Sequence, residues 1–276
     1  MRLLLLIPLA GSLAMAATEP FAVVKPVISQ MEEGAPAPPG FDYAPGEILF
    51  FNCRVAHFAK TADLKVRIAY SVQAFDPKGV ALAEVYKNEF NDEVTVEDKE
   101  WMPKIQTEVL IPPLAASGTY KVVVNAEDLV AKTTAKLEVS FDVRGRAVEP
   151  SDKVIVRNFR FFHDEAGKQA AEKPVYHAGE TMWTRFDIIG YQFGAGNKVD
   201  VSYVASIMLP GGKVLWTQPE PASEQSQSFY PKRYISGEFS INLQAGVKPG
   251  SYIVALQVKD AIGNQTYESR QLFTVE

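Results

Sequence analysis

Cysteine is almost absent from this sequence: 276 residues hold one, Cys53. A single thiol excludes an intrachain disulfide framework and any cysteine-cluster metal site. Histidine is nearly as scarce. His57, His163 and His177 stand at no ligand spacing, whereas a zinc site needs three or four ligands. Positive charge is not in excess: 28 Lys+Arg against 33 Asp+Glu leave a net charge of -5. A nucleic-acid binder normally carries a basic stripe, so that class is set aside. Beyond the first residues no apolar run is long enough to span a bilayer. There is no Gly-x-Ser-x-Gly elbow, no His-Glu-x-x-His and no Walker loop. Gly194-Ala195-Gly196 lacks the third glycine of a dinucleotide fingerprint. No metal and no cofactor are expected, and no capped 3.6-residue apolar stripe announces a helix.

What is present begins with an address. Arg2 precedes the apolar run Leu3-Leu4-Leu5-Leu6-Ile7-Pro8-Leu9-Ala10, and Ala14-Met15-Ala16 is a small-x-small cleavage pattern. Residues 1–16 are expected to be a signal peptide, cleaved before Ala17. The rest is expected to reside in the periplasm or outside the cell, with no transmembrane segment after cleavage.

The next feature is an internal repeat. Tyr43-Ala44-Pro45-Gly46-Glu47 is echoed by Tyr176-His177-Ala178-Gly179-Glu180, and Val66-Arg67-Ile68-Ala69-Tyr70 by Val199-Asp200-Val201-Ser202-Tyr203. Asp76-Pro77-Lys78-Gly79 is echoed by Leu209-Pro210-Gly211-Gly212 at the same spacing. After a slip of one residue, Gly118-Thr119-Tyr120 matches Gly250-Ser251-Tyr252, and Asp128 matches Asp260. An ordered set of matches at a nearly constant offset reads as a duplication. It gives one domain over 17–146 and a second over 147–276, joined near Gly145-Arg146-Ala147-Val148-Glu149-Pro150.

Each copy alternates apolar and polar residues with period two, as half-buried strands do. Leu49, Phe51, Cys53 and Val55 share a face, matched by Met182, Thr184, Phe186 and Ile188. Tyr120, Val122, Val124 and Ala126 share another, matched by Tyr252, Val254, Leu256 and Val258. About seven short strands per copy, separated by Pro, Gly, Asp and Asn turns, predict an all-β chain of two antiparallel sandwiches. Pro249-Gly250-Ser251-Tyr252, and less fully Ala116-Ser117-Gly118-Thr119-Tyr120, set a tyrosine at the start of a late strand. The chain thereby resembles tandem bacterial immunoglobulin-like or macroglobulin-like sandwich domains. The resemblance implies that each tyrosine bonds back to the backbone upstream. The intersheet disulfide of antibody domains is missing, because Phe186 stands opposite Cys53 in the repeat.

Few residues invite a chemical role. Cys53 falls on an apolar face and reads as a core thiol, with pairing between chains as the alternative. Asp128 and Asp260 read as turn caps, and Glu47 and Glu180 as shared structural groups. The segment Trp101-Met102-Pro103-Lys104 corresponds to Phe229-Tyr230-Pro231-Lys232, which continues Arg233-Tyr234. Each either staples a loop to its own sandwich or anchors a partner, the task in which aromatics and Arg are enriched. The candidate partner-binding residues are Trp101, Met102, Lys104, Phe229, Tyr230, Lys232, Arg233 and Tyr234, and no catalytic residue is named. Residues 18–146 hold 19 acidic and 14 basic residues, and 147–276 hold 14 and 13, so the copies differ in surface charge. The expected function is an exported, non-catalytic interaction protein that binds an envelope or extracellular protein through loops and strand edges. A carbohydrate or surface-polymer module is the alternative, and a hydrolase using paired carboxylates comes last.

Overall fold

The computed structural model describes residues 19–98 and 100–276, so the expected signal peptide lies outside the described residues. The described residues are all-β apart from one 3-10 turn at Ala195–Asn197. The first strands are β1 (Ala22–Ser29), β2 (Asp42–Tyr43), β3 (Ile48–Ala56), β4 (Lys65–Phe75), β5 (Tyr86–Glu93), β6 (Lys104–Leu110), β7 (Gly118–Asp128) and β8 (Thr133–Val143). They form a three-stranded sheet, β1-β3-β6, and a five-stranded sheet, β2-β8-β7-β4-β5. After residues without strand come β9 (Ile155–Phe162), β10 (Val175–Tyr176), β11 (Thr181–Ile189), β12 (Val199–Met208), β13 (Val214–Thr217), β14 (Ala222–Ser226), β15 (Ile235–Asn242), β16 (Gly250–Asp260) and β17 (Gln265–Val275). They form β15-β11-β9 and β10-β17-β16-β12-β13, with β14 also paired to β12. The two sheet pairs follow the same strand order, except that β13 and β14 stand where the first pair has β5 alone.

The alternating faces meet between the sheets. Leu49, Phe51, Cys53 and Val55 are wholly buried and pack with Val66, Ile68, Val122 and Val124 from the opposite sheet. Met182, Phe186 and Ile188 do the same against Val201, Val254, Leu256 and Val258. Each such side chain contributes about 1.5–3 kcal/mol by leaving water, which makes the intersheet layer the main stabilising element. Phe186 needs Gly237 across the ladder: a Cβ there would come within 2.3 Å of its ring.

Backbone ties repeat between the pairs. The Tyr120 hydroxyl donates to the Ala116 carbonyl at 2.9 Å, and Tyr252 to that of Lys248 at 2.7 Å. These are the back-bonds that the resemblance implies. Asp128 Oδ1 accepts the Val130 and Ala131 N–H groups, while Oδ2 accepts the Ala59 N–H at 2.6 Å. Asp260 repeats this with Ile262, Gly263 and, at 3.0 Å, Gln192. Each buried carboxylate therefore caps its own hairpin and staples it to the loop that leaves β3 or β11. Glu47 and Glu180 accept the Ala44 and His177 N–H groups, both at 2.8 Å.

One expectation needs correction. The sandwiches are not wholly antiparallel, because β2 runs parallel to β8 and β10 parallel to β17. The chain crosses from one sheet to the far edge of the other, then travels beside the last strand in its direction. Buried Tyr43 and Tyr176 fix the two crossings in the core.

Candidate interaction site

The eight residues singled out in the sequence do not converge. Trp101 and Met102 are half-buried, and the Trp101 ring meets Phe58 edge-on at 5.7 Å against the first core. Lys104 pairs with Glu33. This loop is stapled to its own sandwich.

The matching segment after β14 turns to the other sheet pair. Tyr230 is 8% exposed, and its ring belongs to the core of the first pair. Its hydroxyl donates to Asp76 Oδ2 at 2.9 Å, and Arg233 Nη2 donates to the same oxygen at 2.5 Å. Asp76 Oδ1 accepts the Lys78 and Val80 N–H groups of its own turn, both at 2.8 Å. Burial pushes the Asp76 carboxyl up. The bonds from Val80, Tyr230 and Lys78 and the charge of Arg233 outweigh that and hold it below its usual value. Tyr234 is buried beneath the Arg146 guanidinium, and Lys232 pairs with Glu224. Tyr230 and Arg233 thus find their partner inside the chain, and of the segment Phe229 is left 51% exposed. A cavity of about 290 Å³ remains at this junction, lined by Pro77, Tyr120, Glu149, Tyr191, Phe193 and Arg233. Sequence reasoning missed Asp76, although a signal existed: the echoed segment Leu209-Pro210-Gly211-Gly212 has Leu209 where Asp76 stands, so the acid has no counterpart there.

The sheet edges supply the other surfaces. A bare edge invites pairing with another chain and is ordinarily guarded by charge, Pro or a bulge. β5 carries Lys87, Glu89, Asp92 and Glu93, all exposed. In β1 the register shifts around Lys25 and Pro26, and in β9 it shifts opposite Arg185 and Asp187. The short strands β2 and β10 cover the far edges. The strands β6, β14 and β15 are also edges, and among the edge strands β13 carries a run of three exposed apolar residues. Val214, Leu215 and Trp216 are 51%, 48% and 40% exposed, and among the described residues β13 pairs with β12 alone. Leu215 and Trp216 also border an apolar cleft of about 480 Å³ that reaches Leu243, Tyr252 and Phe273 between the sheets.

No family model and no curated protein matches this chain. Among solved structures, the C-terminal domain of the Streptococcus agalactiae AgI/II polypeptide BspA aligns over 91% of this chain and 100% of its own, at 10% identity and a TM-score of 0.32. The C-terminal domain of the Streptococcus pyogenes antigen I/II-family protein AspA aligns over 92% and 99%, at 9% identity and a TM-score of 0.32. A family 123 glycoside hydrolase from Clostridium perfringens aligns over 45% of this chain and 27% of its own, at 14% identity and a TM-score of 0.30.

Four of the residues able to do chemistry are engaged within the fold. Cys53 is fully buried, and burial pushes its thiol up to about 12, so it is an inert core group rather than a link between chains. Asp76, Asp128 and Asp260 spend their lone pairs on the bonds described above. Among the described residues no group of three or more His, Cys, Asp or Glu is placed to hold a metal ion, and no helix is long and apolar enough to cross a membrane.

Proposed function

We propose that this chain is an exported, non-catalytic interaction protein of two duplicated immunoglobulin-like domains, 17–146 and 147–276, acting in the periplasm or outside the cell. Its partner is an extended segment of an envelope or extracellular protein, which adds as a strand along β13. The observation that carries this reading is the contrast between edges: β5 is guarded by charge, while its counterpart β13 presents Val214, Leu215 and Trp216 to solvent. Strand addition would use the free backbone groups of β13 for affinity, with alternate side chains of the partner entering the cleft beside Trp216. Phe229 offers a second exposed anchor.

Capture from an envelope extract of the native host, compared between wild type and the edge variants Leu215→Lys and Leu215→Pro, tests the proposal. A protein retained by wild type and lost with both variants is the expected result. Equal retention by all three would reject the edge, and retention of glycan alone would reject a protein partner.

A further inference from the structure

The two sheet pairs carry matching clefts, and only one of them is filled. Phe75 bridges Ala81 as Met208 bridges Val214, so Leu215 and Trp216 stand where the first pair has Leu82 and Ala83. After β6 a turn closes from the Ala115 N–H to the Pro112 carbonyl, and after β15 from the Val247 N–H to that of Gln244. The back-bonded tyrosines Tyr120 and Tyr252 complete the two frames.

In the first pair the frame is occupied from the second. The Tyr230 ring packs in one core with Leu82, Ala115 and Tyr120, all buried. Phe229 and Pro231 border the same small cavity as Pro112 and Leu114. Residues 227–234 form no strand, so this occupant enters by its side chain and not by ladder bonds.

In the second pair the cleft stands open. Leu215, Trp216 and Val247 line it without a covering segment among the described residues, above Leu243, Tyr252 and Phe273. Two differences set what would fit. Leu209 replaces Asp76 and packs on the same core as Tyr252 and Val247, so the carboxylate that receives the Tyr230 hydroxyl and Arg233 is missing. A hydroxyl or guanidinium buried here would lack that acceptor, which disfavours both. Trp216 replaces Ala83 and adds an aromatic wall, against which another ring packs edge-on or offset.

We infer that this cleft receives an apolar aromatic side chain, Phe or Trp, followed by Pro, from a loop of a partner protein, seated as Tyr230 is seated in the first pair. The chain's own Phe229-Tyr230-Pro231 is engaged at the first cleft in every copy, so the segment comes from a different protein. It would accompany the strand added along β13, and in that respect the inference rests on the reading of that edge.

A peptide of residues 226–236 carrying Tyr230→Phe and Arg233→Leu tests it. Trp216 gives the fluorescence readout in a protein with Trp101→Phe and Trp183→Phe. Saturable binding is expected at millimolar concentration or tighter, weakened at least about tenfold when the peptide carries Tyr230→Ala instead of Tyr230→Phe. Val247→Asp in the protein, checked as folded by circular dichroism, should weaken it comparably. The unaltered peptide, with its Tyr and Arg, should bind more weakly than the Phe and Leu peptide, and Leu209→Asp, which restores the carboxylate of the first cleft, should reverse that order. No saturable change up to about 10 mM would overturn the inference. So would equal binding of the Ala peptide, an unaffected Val247→Asp protein, or an unreversed order in a folded Leu209→Asp protein. Self-association abolished by Val247→Asp would overturn it in favour of a second copy. Val247 follows β15 in the other sheet, so capture of an envelope protein that survives Val247→Asp but not Leu215→Pro would overturn the cleft and leave the edge standing.

Discussion

Replacing Tyr230 by Phe removes one oxygen and tests whether the two sheet pairs are locked together. The hydroxyl donates to a carboxylate whose side chain is 2% exposed. A hydrogen bond to a charged group contributes about 1.5–3 kcal/mol. Arg233 still reaches the same oxygen, which favours the lower half of that range. Tyr230→Ala should cost more, about 3–5 kcal/mol, because it also empties the ring's place in the first core. Trp101 lies in the first sheet pair, and Trp183 and Trp216 in the second, so single-tryptophan versions followed in urea report each pair separately. The Phe variant should lower the midpoint seen by Trp101. In an Asp76→Ala background, where the acceptor is gone, the same change should cost close to nothing. An unmoved Trp101 transition, or an equal cost in both backgrounds, would refute the junction as described.

The same carboxylate makes the junction acid-sensitive. The folded-state pKa of Asp76 lies below its unfolded value, so its contribution is complete above the unfolded value, about 3.9, and is lost as pH falls through the folded one. Small-angle scattering should show the pairs separating only as pH falls below about 3.9, and separation already at pH 5 with each pair still folded would contradict the assignment. Asp260→Ala strips the acceptor from three backbone N–H groups and should destabilise the second sheet pair by about 2–4 kcal/mol, with Asp128→Ala doing the same to the first. Hydrogen exchange at Gln192 and Ala59 reads these two effects locally, and slow exchange retained in the variants would reject the staples. Cys53 should resist a thiol reagent at pH 8 until the first pair unfolds. Stoichiometric labelling of the native protein within minutes would show that the thiol is not in the core.

The strands and their faces were readable because alternation is a local property. A side chain two residues on returns to the same face, so Leu49, Phe51, Cys53 and Val55 announce a buried row without reference to the rest of the chain. The ties that stay near in sequence were equally legible. Tyr120 and Tyr252 bond four residues back, and Asp128 and Asp260 cap their own turns.

What the tertiary structure alone decided is where matched segments go. Trp101-Met102-Pro103-Lys104 and Phe229-Tyr230-Pro231-Lys232 look alike in sequence, yet one lies on its own sandwich and the other locks onto its neighbour. The difference depends on Asp76, 154 residues before Tyr230, and no local pattern carries that distance. The bare edge at β13 is likewise a statement about missing neighbours. Alternation marks which residues share a face, but whether a strand lies at an edge depends on sheet order. Asp187 shows the same limit: its position marks it as outward-facing, and only the tertiary structure brings the Asn158 amide and the Arg146 guanidinium onto it.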